Sequence, residues 1–233
     1  MKEKAIILST EMVQALLNTK PNTYPPEPID ASKPCKGMIR RVAPFEVCGG
    51  QNIRFTGYEV DKGVKGGKEG YCLYSRGIGA QWETRSNVIF PKYQVGDVLW
   101  VREKWSDFYV PEVSIIFKAD KHCVSDELKW KPSIHMPREA ARIFLKVRNV
   151  CVERLQNISE EDAKAEGVNS NKFVNDYGCG YKCPKIHKCQ YCSESKLQSR
   201  AFMCLWDSLY AKKGYGWDTN PYVWVYEFER VEN

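Results

Sequence analysis

Cys179, Cys183, Cys189 and Cys192 fall within fourteen residues, in the order C-x3-C-x5-C-x2-C, with His187 among them. This stretch constrains the chain more than any other. Residues 168–196 are rich in glycine, lysine and serine and poor in apolar side chains, so they cannot build a core of their own. A tetrahedral Zn²⁺ held by thiolates supplies the folding energy that burial cannot. Four cysteines close the coordination shell, which makes the expected site structural rather than catalytic. His187 is the alternative fourth ligand. The other cysteines, Cys35, Cys48, Cys72, Cys123, Cys151 and Cys204, are scattered. Cys151 and Cys204 lie in patterned runs and read as small core residues.

The remainder of the 233 residues reads as a single domain over 1–233, with insertions at 20–34, 49–87 and 168–196. Hydrophobic residues make up 43%, enough for a substantial core. No apolar run approaches the roughly 20 residues of a membrane-spanning helix. The N-terminal apolar run is too short for a secretion signal. These features lead us to expect a cytoplasmic protein without a membrane partner. The net charge of +6 permits a nucleic-acid partner without demanding one.

Short strands are expected over 5–8, 38–42, 98–101, 114–119, 142–152 and 222–231. Helices are expected over 11–17, capped by Ser9 or Thr10, and from 159 to Gly167, with acidic residues at the positive end. A third spans 197–210 and presents Phe202, Leu205, Trp206 and Leu209 on one face. In 222–231, Tyr222, Trp224, Tyr226 and Phe228 alternate with Val223 and Val225, so both faces are apolar. Residues 20–34 hold five prolines and cannot continue a helix. Residues 49–87 are rich in glycine and read as a hairpin-like insertion. The fold class is α+β, mainly β: a small barrel with flanking helices and a zinc-binding loop.

Four collinear motifs carry a resemblance. Gly96-Asp97-x-Leu99-Trp100-Val101-Arg102-Glu103-x-Trp105 is the first, and the run from Trp130 to Arg138 the second. The third is Ile158-Ser159-Glu160-Glu161-Asp162-Ala163 continuing to Glu166-Gly167. The fourth is Leu205-Trp206-Asp207-Ser208-Leu209-Tyr210 with Trp217-Asp218 and 221–231. Together they resemble ASCH-domain proteins of phages and prophages, a branch of the PUA-like superfamily. The resemblance implies a PUA-like barrel whose cleft grips RNA or modified bases, in the host cytoplasm.

Lys36-Gly-Met-Ile-Arg-Arg41 is similar to that family's K-x-x-T-R-R motif, with Ile39 at the threonine position. A small relative that hydrolyses N4-acetylcytidine implies catalytic roles for Lys36 and Glu166. Ile39 has no hydroxyl and cannot be the nucleophile. Two functions therefore stay open. One is a binding protein for RNA, single-stranded DNA or a modified nucleotide, using a basic cleft of Lys36, Arg40, Arg41, Arg102 and Arg138. The other is a hydrolase acting on N4-acylated cytidine-type nucleosides or on RNA. Trp105 reads equally as core, and His135 as a residue of the proline-bounded loop 132–137.

Overall fold

A computed structural model of the chain describes residues 3–23, 27, 29, 36–44, 57–61, 70–76, 83–110, 113–120, 129–168 and 197–232. Its strands are β1 (Glu3–Ile7), β2 (Met38–Val42), β3 (Gly57–Asp61), β4 (Gly70–Arg76) and β5 (Glu83–Arg85), then β6 (Val98–Arg102), β7 (Trp105–Val110), β8 (Val113–Phe117), β9 (Phe144–Arg154) and β10 (Tyr222–Val231). Its α-helices are α1 (Thr10–Leu17), α2 (Glu160–Ala165) and α3 (Leu197–Tyr210). The content is mixed and mainly strand, the α+β class expected.

The central sheet runs β1-β6-β9-β10-β2. β1 lies parallel to β6, and the other neighbours are antiparallel. Strand β10 is buried on both faces, because its alternation is apolar on both. Trp224, Tyr226 and Phe228 enter a core with Ile6, Leu99, Val101, Leu145, Val147 and the α1 residues Met12, Val13 and Leu16. Val223 and Val225 face the opposite way, onto Ala163, Ala201, Phe202 and Trp206. Helix α1 thus covers one face, and α2 with α3 the other.

Local capping fixes the helices that flank the sheet. Ser9 caps α1, its hydroxyl accepting from the Met12 N–H. Ser159 caps α2 through the Asp162 N–H at 3.0 Å, with Glu160, Glu161 and Asp162 in the first turn. Both caps satisfy amides that a helix start leaves unpaired.

Three features differ from the sequence reading. The barrel is not closed among the described residues: β1 and β2 are sheet edges that share no ladder. A side chain crosses the gap instead, Arg41 Nη2 donating to the Ile7 carbonyl at 3.4 Å. Second, the glycine-rich stretch holds the expected hairpin, β3 antiparallel to β4, but adds a third strand, β5, and it feeds the core. Tyr71 packs edge-to-face on Trp224 at 5.0 Å, and its hydroxyl donates to the Val150 carbonyl. Third, the alternation of β9 breaks at Arg148, where the register passes from Asn149 opposite Glu227 to Val147 opposite Phe228. The extra residue flips the parity, so Leu145 and Val147 face the same core as Val150 and Val152. Arg148 points out and pairs with Glu229 at 2.5 Å.

Trp105 is core, with Met136 and Ala140. Leu209 departs from the expected buried face of α3 and is 44% exposed. No helix among the described residues is long and apolar enough to cross a membrane.

Candidate nucleic-acid interface

The residues singled out from sequence fall into distinct places. Lys36 and Glu166 meet in the interior. The Lys36 ammonium donates to the Glu166 carbonyl at 2.6 Å and to its carboxylate at 3.1 Å. Its side chain has no solvent exposure, and that of Glu166 has 2%. The backbone explains why they meet. Thr19, buried just after α1, donates its hydroxyl to the Ala15 carbonyl and accepts the Lys36 N–H at 2.9 Å. The Gly37 N–H donates to the Ala165 carbonyl at the end of α2. Gly167 then turns the chain at φ +76°, where a Cβ would lie 2.8 Å from the Ala15 Cβ and 3.1 Å from the Lys36 Cβ. Only glycine allows this approach.

Arg40 completes the cluster. It donates to Glu166 at 3.3 Å, to Asp162 at 2.9 Å and to Glu153 at 3.3 Å. Its Nε is buried without a partner among the described residues. Burial lowers the Lys36 pKa, and Glu166 opposes that shift. Burial acts on Arg40 too, but Glu166, Glu153 and Asp162 outweigh it and hold the guanidinium charged. Both cations and Glu166 are shut off from solvent, and only Asp162 and Glu153, about one-third exposed, reach it. Ile39 is 1% exposed and belongs to the core beside it.

Arg41 points elsewhere, into a cavity of about 640 Å³ at the open seam between β1 and β2. Its walls are Ile7 and Leu8, the first turn of α1 from Ser9 to Met12, Ser133, and Leu209 and Tyr210 at the end of α3. Arg41, Lys104, Lys118 and Lys213 bring four cations to this lining, and Glu11 one carboxylate. Among the described residues, none of the four cations forms an ion pair. Arg41 spends its donors on the Ile7 and Arg40 carbonyls. The positive end of the α1 dipole faces the same space. The cavity thus combines an apolar side, a cationic side and a volume within the usual range for ligand sites.

A clamp anchored on the buried Glu103 sets the two central lysines. Arg142 grips Glu103 with two hydrogen bonds of 2.9 Å and Asp120 with bonds of 2.9 and 2.8 Å. Its guanidinium lies 4.1 Å from the Phe117 ring centre. Burial raises the Glu103 pKa, against the pull of Arg142. Glu103 precedes Lys104, Asp120 follows Lys118 by two residues, and the Lys118 N–H donates to the Lys104 carbonyl at 2.9 Å. The clamp therefore fixes both lysine backbones.

Arg102 stacks on Trp100, with 4.6 Å from Cζ to the ring centre. Arg138 sits at the opposite end of β1, held by Glu3 at 2.8 and 3.0 Å and packed on Phe144. His135 is exposed in a short 3-10 turn, Ser133–His135. Lys104, Lys118, Lys213 and the clamp escaped the sequence reading, because they come from separate segments that only the tertiary fold brings together. The one local signal was Lys104, lying inside the first of the four motifs.

Cys179, Cys183, His187, Cys189 and Cys192 lie outside the described residues. Among the described residues no group of His, Cys, Asp and Glu could hold a metal ion. Burial pushes the thiol of Cys151 up to about 12, which keeps it unreactive.

No family model matches this chain, and no curated protein or solved structure matches it at a significant level.

Proposed function

We propose that this chain is a PUA-like protein of the ASCH type that binds RNA, single-stranded DNA or a modified nucleotide at the cationic cavity. One observation carries the reading: four cations from four separate segments converge on one cavity and spend no charge on carboxylates of their own. Basic side chains left unpaired around a cavity fit phosphate, and the apolar side offered by Ile7, Leu209 and Tyr210 fits the rest of a nucleotide. The net charge of +6 agrees with such a ligand.

The test is titration of a fluorescent eight-nucleotide RNA, and of its DNA counterpart, at several salt concentrations. Phosphate contacts release counterions, so log K is expected to fall linearly with log salt, by about 0.7 per phosphate neutralised. Absence of binding, or binding indifferent to salt, would refute the proposal.

The hydrolase reading rests on the meeting of Lys36 and Glu166 at 3.1 Å. It requires the buried pair to open and water to attack, since Ile39 offers no hydroxyl. Turnover of N4-acetylcytidine that Glu166→Gln abolishes would establish it.

We further propose that Cys179, Cys183, Cys189 and Cys192, or three of them with His187, hold a structural Zn²⁺. Metal analysis of protein purified without chelator is expected to return about one zinc per chain. Metal-free protein with every thiol reduced would exclude the site.

A further inference from the structure

We propose that Trp100 and Arg102 form a stacking platform for a base of the strand whose phosphates occupy the cavity. This inference rests on the function proposed above and narrows the ligand to a single strand longer than one nucleotide.

The platform begins with alternation. Residues two apart in a strand point to the same face, so Trp100 and Arg102 share one face of β6 while Leu99 and Val101 enter the core. Both are half-buried, and the guanidinium lies 4.6 Å from the indole centre. The other arginines of the central sheet spend their donors. Arg40 serves three carboxylates, Arg148 serves Glu229, and Arg154 serves the Asn220 carbonyl. The Arg102 side chain makes no hydrogen bond or ion pair among the described residues, and its Nε is buried without a partner. A buried guanidinium N–H without an acceptor is costly, and the chain claims none of the remaining donors of Arg102.

The setting says what takes those donors. Arg102 lies directly across from Ile7, which lines the cavity. Neighbouring strands are about 4.8 Å apart, so the platform adjoins the phosphate site. Trp100 is flanked by Ala5 on β1 and Phe144 on β9. Arg138 covers Phe144, whereas the neighbour on the other side, Ala5, is small. A base stacked on the guanidinium gives a three-layer stack over the indole, and the in-plane donors remain for the edge of a base or a phosphate.

Anisotropy titrations with the eight-nucleotide RNA and DNA probes test this. Trp100→Leu and Arg102→Met are each expected to weaken binding about tenfold. Trp100→Leu removes no charge, so the slope of log K against log salt is expected to stay as in the parent protein. A probe of the same length with abasic sites isolates stacking from folding. It is expected to bind the parent protein about tenfold more weakly, with no further loss on Trp100→Leu. If Trp100→Leu and Arg102→Met bind as the parent does, while Lys104→Gln with Lys118→Gln loses binding, the platform is refuted and the cavity stands. If the parent protein binds no probe, the proposed function falls and takes the platform with it.

Discussion

Glu166→Ala is expected to destabilise the protein by about 3–5 kcal/mol, the cost of leaving a buried charge without its partner. The carboxylate serves two cations whose side chains have no solvent exposure, Lys36 and Arg40. Arg40 retains Asp162 and Glu153, both about one-third exposed, and so keeps part of its compensation. Lys36 retains only the Glu166 carbonyl. It can escape by releasing its proton, a direction in which burial already drives it. For a chain of this size the loss corresponds to a fall in Tm of roughly 10 °C. Glu166→Leu combined with Lys36→Met removes both charges and is expected to be milder than Glu166→Ala alone. Glu27→Ala serves as control. The Lys20–Glu27 pair is more than half exposed, and its loss is expected to shift stability by under about 1 kcal/mol. A Tm for Glu166→Ala within two degrees of the parent would show that the buried pair does not contribute as described.

The second large effect is on binding. Lys104→Gln, Lys118→Gln and Lys213→Gln together are expected to weaken nucleic-acid binding more than tenfold at low salt and to flatten the salt slope by about 2. These side chains make no ion pair among the described residues. Their contacts with aromatic rings are long, 5.9 Å from Lys118 to Trp130 and 5.4 Å from Lys213 to Tyr210. Thermal stability is therefore expected to hold, which separates lost charge from lost fold. Arg41 is left in place because its guanidinium spans the seam. Unchanged affinity in the triple variant would move the binding site away from this cavity. Arg142→Met adds a contrast. It releases the backbones of Lys104 and Lys118 without touching their charge.

Periodicity made much of this architecture legible. Strand β10 declared both of its faces, and α1 declared Met12, Ala15 and Leu16 against the sheet. What escaped depends on single residues. The bulge at Arg148 leaves only two successive polar residues, Arg148 and Asn149, as its trace, and the partner strand alone defines the register. The third strand of the glycine-rich sheet escaped because glycine masks a pattern of alternation. Lys36 and Glu166 were singled out together from their motifs. Their complete burial depends on Thr19 and Gly167, two residues with no motif of their own. The cavity was out of reach, because convergence of four cations from distant segments is a property of topology.

Strand β10 has a consequence for how the molecule comes apart. Its odd residues Val223 and Val225 belong to one apolar cluster, and its even residues Trp224, Tyr226 and Phe228 to the other. Neither cluster can lose β10 without exposing the other. The helices on opposite faces of the sheet are therefore tied into one cooperative unit. The seam at β1 and β2 stands apart from this tie, because β1 is an edge strand whose only ladder is with β6. Fluctuation is cheapest where the ladder ends, and that is where the cavity lies.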